Sequence, residues 1–376
     1  MYKLIVRPFL FLFDPEKIHY VAFSLIRFLC KVPLGALIFR KIYQIEDKRL
    51  ERKLFGITFK NPVGLAAGFD KNAEAIKSLH SLNFGFCEVG TITPLPQYGN
   101  PKPRVFRLTK DKAIINRNGF NNIGMVAAKQ NLIKYRNLFP IGSNFILGIN
   151  IGPNKDSHNR VNDYRILSKE LSEFSDFISI NISSPNTPNL RDFHETKSLK
   201  EVIVAVNKGI TDSKLPVFIK IAPDIDLNML KNIIKISSAQ NISGLIISNT
   251  TLERKACLKS KNIHESGGLS GEPLFLKSTN LLAQANQIIV TNKLNLHLIA
   301  VGGVSDHFTA YAKILCGADL VQLYSSITYE GPGIANKINK GIIKLMYRDK
   351  IKDLIKIKGL AKNANEALTI AKHGFG

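Results

Sequence analysis

The chain has 376 residues, 45% of them hydrophobic and 22% charged, which excludes wholesale disorder and allows one large α/β domain with a small appendage. Its four cysteines are scattered without a Cys-x-x-Cys pair, so the sequence predicts reduced thiols rather than a disulfide framework or a zinc site. The formal net charge of +23 leaves an anionic membrane surface and a compositional bias toward lysine as explanations, whereas nucleic acid is not expected because the basic residues are spread along the chain without a nucleic-acid-binding motif.

Residues 1–45 predict an amphipathic helical hairpin. Asp14 is a favourable N-cap, Pro15 suits the first helical position, and Pro33 is expected to end the first helix. Apolar residues recur at three- and four-residue spacing on both sides of this proline, at Ile18, Val21, Ala22, Leu25, Ile26 and Leu29, and then at Leu34, Leu37, Ile38 and Ile42. Such a hairpin either packs on the main domain or lies on a membrane, and its phenylalanines and interspersed basic residues favour an interfacial element on anionic lipid.

A membrane-spanning or secreted chain is not expected. No apolar run reaches the roughly 18–20 residues of a spanning helix. The apolar stretch at 9–13 is too short for the core of a signal peptide. Because no transit peptide precedes the predicted first helix, the sequence favours peripheral attachment to the cytoplasmic side of a bacterial inner membrane.

Residues 46–376 predict a parallel α/β fold. A charged linker at 46–53 and a short β-like stretch at 54–59 come first. Short, bulky apolar runs then alternate with helical patterns, as in strands that are buried on both faces. The eight runs predicted as strands lie at 63–66, 86–89, 145–149, 177–180, 217–219, 244–247, 298–301 and 320–323. Residues 104–108 and 113–115 predict an added hairpin, and helical spacing is clear at 199–210 and 227–234.

Eight such strands either close a barrel or form an open doubly wound sheet. No Gly-x-Gly-x-x-Gly motif follows an early strand, which disfavours the open dinucleotide-binding sheet. Every run also ends in polar or glycine residues, and all these ends share one site only in a barrel. The sequence therefore predicts a (β/α)8 TIM barrel with an N-terminal helical hairpin.

The residues at the predicted strand ends indicate a site for a phosphate-bearing cofactor and a planar ligand. Glycines near 267–271 and at 302–303 fit loops whose backbone binds a phosphate, although each could also serve only a tight turn. The amides of Asn116, Asn181, Asn186 and Asn249 could bind a ring edge that alternates C=O and N–H groups. Lys71 and Lys220 could bind a carboxylate or the negative charge of a reduced cofactor ring. Because no His/Asp/Glu cluster has metal-binding spacing, no metal site is expected.

Ser184 is the candidate for proton transfer. It lies between several amides in a loop that contains Pro185 and Pro188, and no Gly-x-Ser-x-Gly nucleophile elbow surrounds it, so a hydrolase triad is not indicated. A hydroxyl is a weak general base at neutral pH, so it would need a relay through water or a neighbour such as Thr187.

Many ordered motifs closely resemble those of class 2 dihydroorotate dehydrogenases. The resemblance covers the chain from about Asp14 to about Gly333. The matching segments are NPVGLAAGFDK at 61–71, GTITP at 90–94, RVFRL at 104–108, INRNGFNN at 115–122, LGINIG at 147–152, INISSPNTP at 180–188, KIAPD at 220–224, SNTT at 248–251, GGLSGEP at 267–273, VGGV at 301–304 and LYS at 323–325.

The resemblance implies an FMN-dependent enzyme that oxidises dihydroorotate to orotate in pyrimidine biosynthesis and passes the electrons to a membrane quinone. By motif position, it implies FMN contacts at Ala67, Gly68, Phe69, Asp70, Lys71, Thr91, Asn150, Asn181, Lys220, Ser248, Gly271, Gly303, Tyr324 and Ser325. It implies substrate contacts at Lys71, Asn116, Arg117, Asn118, Gly119, Phe120, Asn181, Asn186, Asn249 and Thr250. Ser184 matches the base that removes the C5 proton while a hydride leaves C6 for the flavin.

The resemblance also implies a quinone tunnel between the N-terminal helices and the barrel, with His19, Arg107 and Tyr324 as candidate contacts. The family's class 1 members resemble the chain less, because they carry a cysteine at the base position and lack the N-terminal helices. Two alternatives stay open at this point: another FMN barrel oxidoreductase or a class 1-like enzyme that passes electrons to fumarate or NAD, and a membrane-surface or nucleic-acid-binding protein on an inactive barrel. The basic tail after about residue 340 predicts only a helix or a surface tether.

Overall fold

The computed structural model describes residues 2–32, 34–143 and 145–375, and the chain begins with helices that pair as a hairpin. The helix α1 spans Arg7–Phe11 after a short π-helix at Tyr2–Val6, α2 spans Pro15–Lys31, and α3 spans Gly35–Tyr43. Asp14 caps α2 as predicted, since its carboxylate accepts hydrogen bonds from the backbone N–H groups of Glu16 and Lys17. Pro33, the predicted end of the first helix, lies outside the described residues. The helical segment before Asp14 was not predicted.

Eight parallel strands in the described part of the chain close a barrel, so the open-sheet alternative is wrong. In order around the barrel they are β3 (Val63–Leu65), β4 (Phe86–Ile92), β7 (Ile146–Ile151), β8 (Phe177–Asn181), β9 (Val217–Ile221), β10 (Gly244–Ile247), β12 (His297–Val301) and β13 (Leu320–Leu323), which pairs back with β3. They coincide with the eight predicted runs to within a few residues. Nearly all of their residues are buried, because helices cover the outside and side chains fill the inside.

Most of the remaining helices lie between the strands and cover the barrel. They are α4 (Ile76–His80), α5 (Gly124–Arg136), α6 (Arg160–Leu171), α7 (Thr196–Gly209), α8 (Leu227–Ala239), α9 (Phe275–Thr291), α10 (His307–Leu315), α11 (Ser325–Glu330), α12 (Ile334–Arg348) and α13 (Ala364–His373). The helices α7 and α8 contain the two segments whose spacing was predicted as helical. Their leucines, isoleucines and valines on one face join the main hydrophobic core around the barrel.

An antiparallel sheet covers part of the barrel at the carboxyl ends of the strands. Its strands are β5 (Val105–Leu108), β6 (Ala113–Asn116) and β11 (Gly268–Gly271), with β6 in the centre. The predicted hairpin is therefore present, but it has a third strand. The glycine-rich stretch at 267–271 was interpreted as a loop, and it forms β11 because its backbone pairs with β6, a partner more than 150 residues away.

The opposite end of the barrel is closed by segments from both ends of the chain. The strands β1 (Arg52–Leu54) and β2 (Ile57–Phe59) form a hairpin there. Arg52, predicted to lie in a linker, is buried, and its guanidinium lies 3.8 Å from Asp319 and 3.4 Å from Asp353. Lys358 donates a 2.6 Å hydrogen bond to Asp319.

The basic C-terminal tail is part of the packed domain, so the surface tether considered for it is wrong. The helix α13 packs against α10 and α9 through buried alanines at 364, 367 and 371. Its small side chains let the helices approach closely, and the many lysines of the tail point outward. None of the helices in the described ranges is both long enough and apolar enough to cross a membrane.

Candidate active site

The main pocket lies at the carboxyl ends of the barrel strands and brings together most of the predicted site residues. The predicted residues that line it are Ala67, Gly68, Lys71, Thr91, Asn116, Asn118, Gly119, Phe120, Asn181, Ser184, Asn186, Lys220, Ser248, Gly271, Gly303, Asn249, Thr250, Tyr324 and Ser325. They come from the carboxyl ends of seven of the eight barrel strands, from the loops that follow these strands, and from the antiparallel sheet and the loop after β6. These residues share one pocket because the parallel strands of a closed barrel all end on the same face.

Four asparagines form one side of this pocket, which we call the amide end: Asn116, Asn181, Asn186 and Asn249. The amide N–H of Asn186 donates to the side-chain oxygen of Asn116 at 3.3 Å. That of Asn249 donates to the hydroxyl of Ser183 at 3.0 Å and lies 3.4 Å from the Asn181 oxygen. Hydrogen bonds between neighbouring side chains thus fix which edge of each amide faces the pocket.

A buried polar network inside the barrel supports the amide end from below. Asn150 does not line the pocket; its oxygen accepts hydrogen bonds from Thr91 at 2.5 Å and Asn181 at 3.1 Å, and its amide N–H donates to Glu88 at 2.6 Å. The other Glu88 oxygen accepts from Gln322 at 2.8 Å and lies 3.8 Å from the Lys220 ammonium. Lys220 reaches the pocket from this buried carboxylate, which compensates its charge.

The opposite side of the pocket, which we call the glycine end, consists of backbone and small side chains. Its residues are Gly271, Gly302, Gly303, Ser325 and Ser326. All three glycines have positive φ angles, of +97°, +104° and +76°. A Cβ at Gly303 would lie 2.4 Å from the Cβ of Phe275, so a side chain cannot be added without moving α9. The buried hydroxyl of Ser326 has no hydrogen-bond partner among the described residues.

Ser184 is buried at the amide end, where its oxygen accepts a 3.3 Å hydrogen bond from the backbone N–H of Asn186. In the described residues its hydroxyl contacts no carboxylate or imidazole that could act as a partner base. The buried hydroxyl of the nearby Thr187 likewise has no hydrogen-bond partner in that part of the chain. The site therefore offers a hydroxyl and space for water, as a water relay requires.

Lys71 and Asp70 are adjacent in sequence but have different surroundings. Burial lowers the pKa of Lys71 to about 8, although Glu16 opposes this change. Burial raises the pKa of Asp70 to about 6, while hydrogen bonds from backbone N–H groups lower it. Asp70 accepts those bonds from Glu74 at 2.9 Å and Ala75 at 2.8 Å. Lys71 faces the pocket, whereas Asp70 holds the backbone of the following loop.

Besides Asn150, three predicted contacts do not line the pocket: Phe69, Asp70 and Arg117. The guanidinium of Arg117 donates to Glu265 at 2.6 Å and lies over the ring of Phe106 at 4.5 Å, so it is directed to the outer surface of the antiparallel sheet. A partner carboxylate far along the chain determines this direction, which the motif did not show.

The three candidate quinone contacts fall in two places. His19 packs edge-on against the Phe69 ring at 4.9 Å, and Phe69 contacts Tyr324 at 6.0 Å in the same way, so α2 touches the pocket wall. Burial lowers the pKa of His19 to about 3, so the ring is neutral near pH 7. Arg107 lies elsewhere, over the ring of Phe11 at 4.4 Å, and donates hydrogen bonds to carbonyl oxygens of the N-terminal segment.

Comparisons with known proteins agree with this geometry. The family model for dihydroorotate dehydrogenase matches residues 49–346. The curated dihydroorotate dehydrogenase (quinone) of Christiangramia forsetii is 44% identical over 92% of this chain and 99% of the relative, and that of Rhizobium leguminosarum bv. trifolii is 43% identical over 93% of each. The crystal structure of ligand-free DHODH from Eimeria tenella superposes with a TM-score of 0.83 at 37% identity, covering 92% of this chain and 99% of that one.

The chain belongs to the dihydroorotate dehydrogenase family. The predicted family and fold are thereby confirmed, and membership implies a flavin cofactor. Within the described residues, no group of three or more His, Cys, Asp or Glu residues could hold a metal ion.

Several polar residues that line the pocket or lie beneath it were not predicted from the sequence. Lys112, Ser270, Glu272, Ser305 and Glu330 also line the pocket. Glu88 and Gln322 lie beneath it, in the middle of strands β4 and β13. A charged residue inside an otherwise apolar strand was the available signal for Glu88, because such a residue must find partners in the barrel interior.

Proposed function

We propose that this chain oxidises dihydroorotate to orotate with FMN as its cofactor and a membrane quinone as the electron acceptor, in pyrimidine biosynthesis. The observation that carries the proposal is the single pocket in which the amide end, Ser184 and the glycine end meet. The curated relatives named dihydroorotate dehydrogenase (quinone) align with 92% and 93% of this chain, which supports the quinone as acceptor.

The residues of the pocket fit a flavin mononucleotide. The glycine end offers backbone groups that suit a phosphate, and the buried hydroxyl of Ser326 there has no hydrogen-bond partner among the described residues. Thr91, Asn181 and Lys220 line the pocket and offer hydroxyl, amide and ammonium groups to a polar ring. The bound flavin would supply a two-electron acceptor for the hydride. Ala67, Gly68, Ser248, Gly271, Gly303, Tyr324 and Ser325 complete the proposed contacts, with Asn150, Phe69 and Asp70 supporting them from outside the pocket.

The amide end suits dihydroorotate, whose ring alternates carbonyl and N–H groups and carries one carboxylate. The four asparagines offer both donors and acceptors to the ring. Lys71 lines the pocket and could bind the carboxylate, and its lowered pKa of about 8 still leaves it mostly protonated near pH 7. Asn118, Gly119, Phe120 and Thr250 line the same side. Arg117 is proposed to act only through the loop that it anchors.

Ser184 is proposed to take the C5 proton of the substrate. A bound flavin would accept the hydride from C6, and a C5=C6 double bond would then form. As the hydroxyl takes up the C5 proton, its own proton must leave through water or the hydroxyl of Thr187 to solvent, so that neither an alkoxide nor a protonated hydroxyl accumulates. The two electrons and two protons finally reduce the quinone to a quinol.

The exposed face of the N-terminal hairpin is proposed to bind the surface of an anionic membrane and admit the quinone. Half or more of the side-chain surface is exposed at Val21, Leu25, Phe28, Leu37, Ile38 and Ile42. Much of the predicted apolar stripe therefore faces outward instead of packing on the barrel, and basic residues such as Arg40 and Lys41 lie beside it. On the barrel side, His19, Phe69 and Tyr324 lead from α2 to the pocket.

Anaerobic flavin spectroscopy tests the proposal directly. Purified protein should show a flavin spectrum that bleaches on addition of dihydroorotate and returns on addition of a quinone, whereas fumarate or NAD should not restore it. Flavin extracted from the protein should be FMN. Bleaching that only fumarate or NAD reverses would contradict the acceptor, and no bleaching would contradict the substrate.

A further inference from the structure

A lysine is fully buried behind the glycine end, with no carboxylate partner among the described residues. Lys313 in α10 has no exposed surface. Its ammonium donates a 2.7 Å hydrogen bond to the hydroxyl of Ser278, lies 3.5 Å from the carbonyl oxygen of Val301, and is 5.3 Å from the centre of the Phe275 ring. No carboxylate in the described ranges lies within 4.0 Å of it, and burial lowers its pKa to about 7. An unpaired buried cation is costly, so a nearby negative charge is expected when the protein is complete.

The contacts of Lys313 lead directly to the glycine end. The Ser278 hydroxyl, which Lys313 holds, donates to the carbonyl oxygen of Gly302 at 3.0 Å. Val301, Gly302 and Gly303 all line the pocket. A peptide bond is planar and trans, so the N–H of Gly303 points away from the Gly302 carbonyl and therefore away from Ser278. Lys313 and Ser278 thus contact the turn at 301–303 on the side away from the pocket, and they fix the direction in which the Gly303 N–H points.

The positive charge of Lys313 also acts across the turn at 301–303, on an anion bound at the glycine end. An ammonium in a buried, largely apolar setting interacts more strongly with a nearby anion than it would in water, because little solvent screens the pair. A phosphate at the glycine end carries close to two negative charges, which would compensate the unpaired lysine. Phe275 and Ser278 belong to α9 and Lys313 to α10, so two helices converge behind one turn.

We propose that Lys313 is a positioning residue for the cofactor phosphate: it orders the glycine turn through Ser278 and stabilises the phosphate charge from behind. This inference rests on the proposed FMN site and deepens it. It predicts that Lys313 contributes to the binding affinity for a flavin that carries a phosphate and not to the affinity for a flavin that lacks one.

The test compares FMN with riboflavin, which has the same ring and ribityl chain but no phosphate. The full-length protein is freed of flavin, and the dissociation constants of both flavins are measured by fluorescence quenching. We expect Lys313→Met to weaken FMN binding at least tenfold while riboflavin binding changes less than about twofold. Lys313→Arg, which keeps the charge, should retain most of the preference for FMN. Equal losses for both flavins, or no loss for FMN, would overturn the proposal.

Two further variants separate the possible failures. Lys358→Met removes a lysine at the opposite end of the barrel and should leave the ratio of the two constants unchanged. Ser278→Ala keeps the Lys313 charge and removes the hydrogen bond to the Gly302 carbonyl oxygen. It should lower the preference for FMN over riboflavin, and it provides a test even if Lys313→Met does not fold. An unchanged ratio of the two dissociation constants would contradict the role of the turn at 301–303. If the wild-type protein binds FMN and riboflavin with equal affinity, the placement of the FMN phosphate at the glycine end is wrong, and the inference about Lys313 is then wrong as well. If the wild type prefers FMN and Lys313→Met keeps that preference, only the inference fails.

Discussion

Ser184 offers the proposed proton acceptor, although nothing in the surrounding described residues activates it as a histidine would. We expect Ser184→Ala to slow anaerobic flavin reduction by dihydroorotate about 10²–10⁴-fold, the usual range for loss of a general base. Flavin content and orotate binding should be unchanged, because the Asn186 N–H loses only a weak contact. Stopped-flow absorbance is the measurement. The control is Ser237→Ala, which removes a buried hydroxyl in α8 outside the pocket and should slow reduction far less; an equal effect would argue against a special role for Ser184.

Gly303 and Gly142 offer a matched pair for testing the glycine end. Their φ angles are +76° and +78°, so alanine strains the backbone equally at both. A Cβ at Gly303 would meet Phe275 at 2.4 Å, whereas nothing lies within 4 Å at Gly142. Gly303→Ala should therefore purify with little flavin, and Gly142→Ala with the normal amount. The 450 nm absorbance relative to protein measures this, and normal flavin in Gly303→Ala would contradict the placement of the cofactor.

At the scale of elements, the N-terminal segment supports the pocket as well as facing outward. The hydroxyl of Tyr2 donates to the carbonyl oxygen of Thr328 at 2.8 Å, and Lys3 pairs with Glu330 at 2.7 Å. Both partners belong to α11, whose first residues line the glycine end. Glu16 in α2 forms a buried ion pair with Arg104 at 2.7 Å. These contacts connect the N-terminal segment to the helix that lines the glycine end, so we expect its removal to disturb the pocket as well.

Deleting residues 1–44 should therefore have two effects. Turnover with a long-chain quinone should be lost, because the proposed quinone route beside His19 is gone. Flavin should also dissociate about tenfold faster, because α11 loses its supporting contacts. The control is Tyr2→Phe combined with Lys3→Met, which should speed flavin loss modestly and keep long-chain quinone turnover. A truncated protein that reduces long-chain quinone normally would show that the hairpin only packs on the barrel.

At the scale of the whole molecule, buried neutral histidines make stability depend on pH. Burial lowers the pKa of His194 to about 4. Its ring contacts the Arg191 carbonyl at 2.7 Å and accepts from the Ala222 N–H at 3.2 Å, which requires the neutral form. The unfolded chain, with a histidine pKa near 6.5, binds a proton that the folded protein excludes, so stability falls as pH drops from about 6.5 toward 4.

The size of this effect follows from linkage. Between pH 7.5 and pH 5, His194 should account for a loss of about 2 kcal/mol in the free energy of unfolding. In His194→Gln, which cannot take up a proton, the loss between these pH values should be smaller by that amount. Urea unfolding at both pH values is the measurement, with exposed His158→Gln as a control that keeps the wild-type dependence. An identical pH dependence in His194→Gln would contradict the assignment.

The net charge of +23 and the exposed apolar face of the hairpin should act together at a membrane. We expect binding to vesicles that contain anionic lipid and weaker binding to neutral ones. High salt should reduce binding to anionic vesicles only in part, because salt screens charges but not apolar contacts. Co-sedimentation measures this. Complete release of the protein from anionic vesicles by salt would show that the apolar face does not enter the membrane. Equal binding to both vesicle types would show that the net charge does not contribute to membrane binding and is only a compositional feature.

The sequence alone determined the barrel, its eight strands, the N-cap at Asp14 and the family. Each of these depends on local patterns, namely apolar spacing, capping residues and ordered motifs, which are encoded by residues close together in the chain. Tertiary structure decided where polar groups point. The glycine-rich stretch at 268–271 became a strand because β6 lies beside it, and Arg117 turned outward because Glu265 attracts it. Glu88 and Lys313 are buried charges whose surroundings come from helices and strands distant in sequence. A buried charge depends on all the groups around it, and only the folded chain brings those groups together.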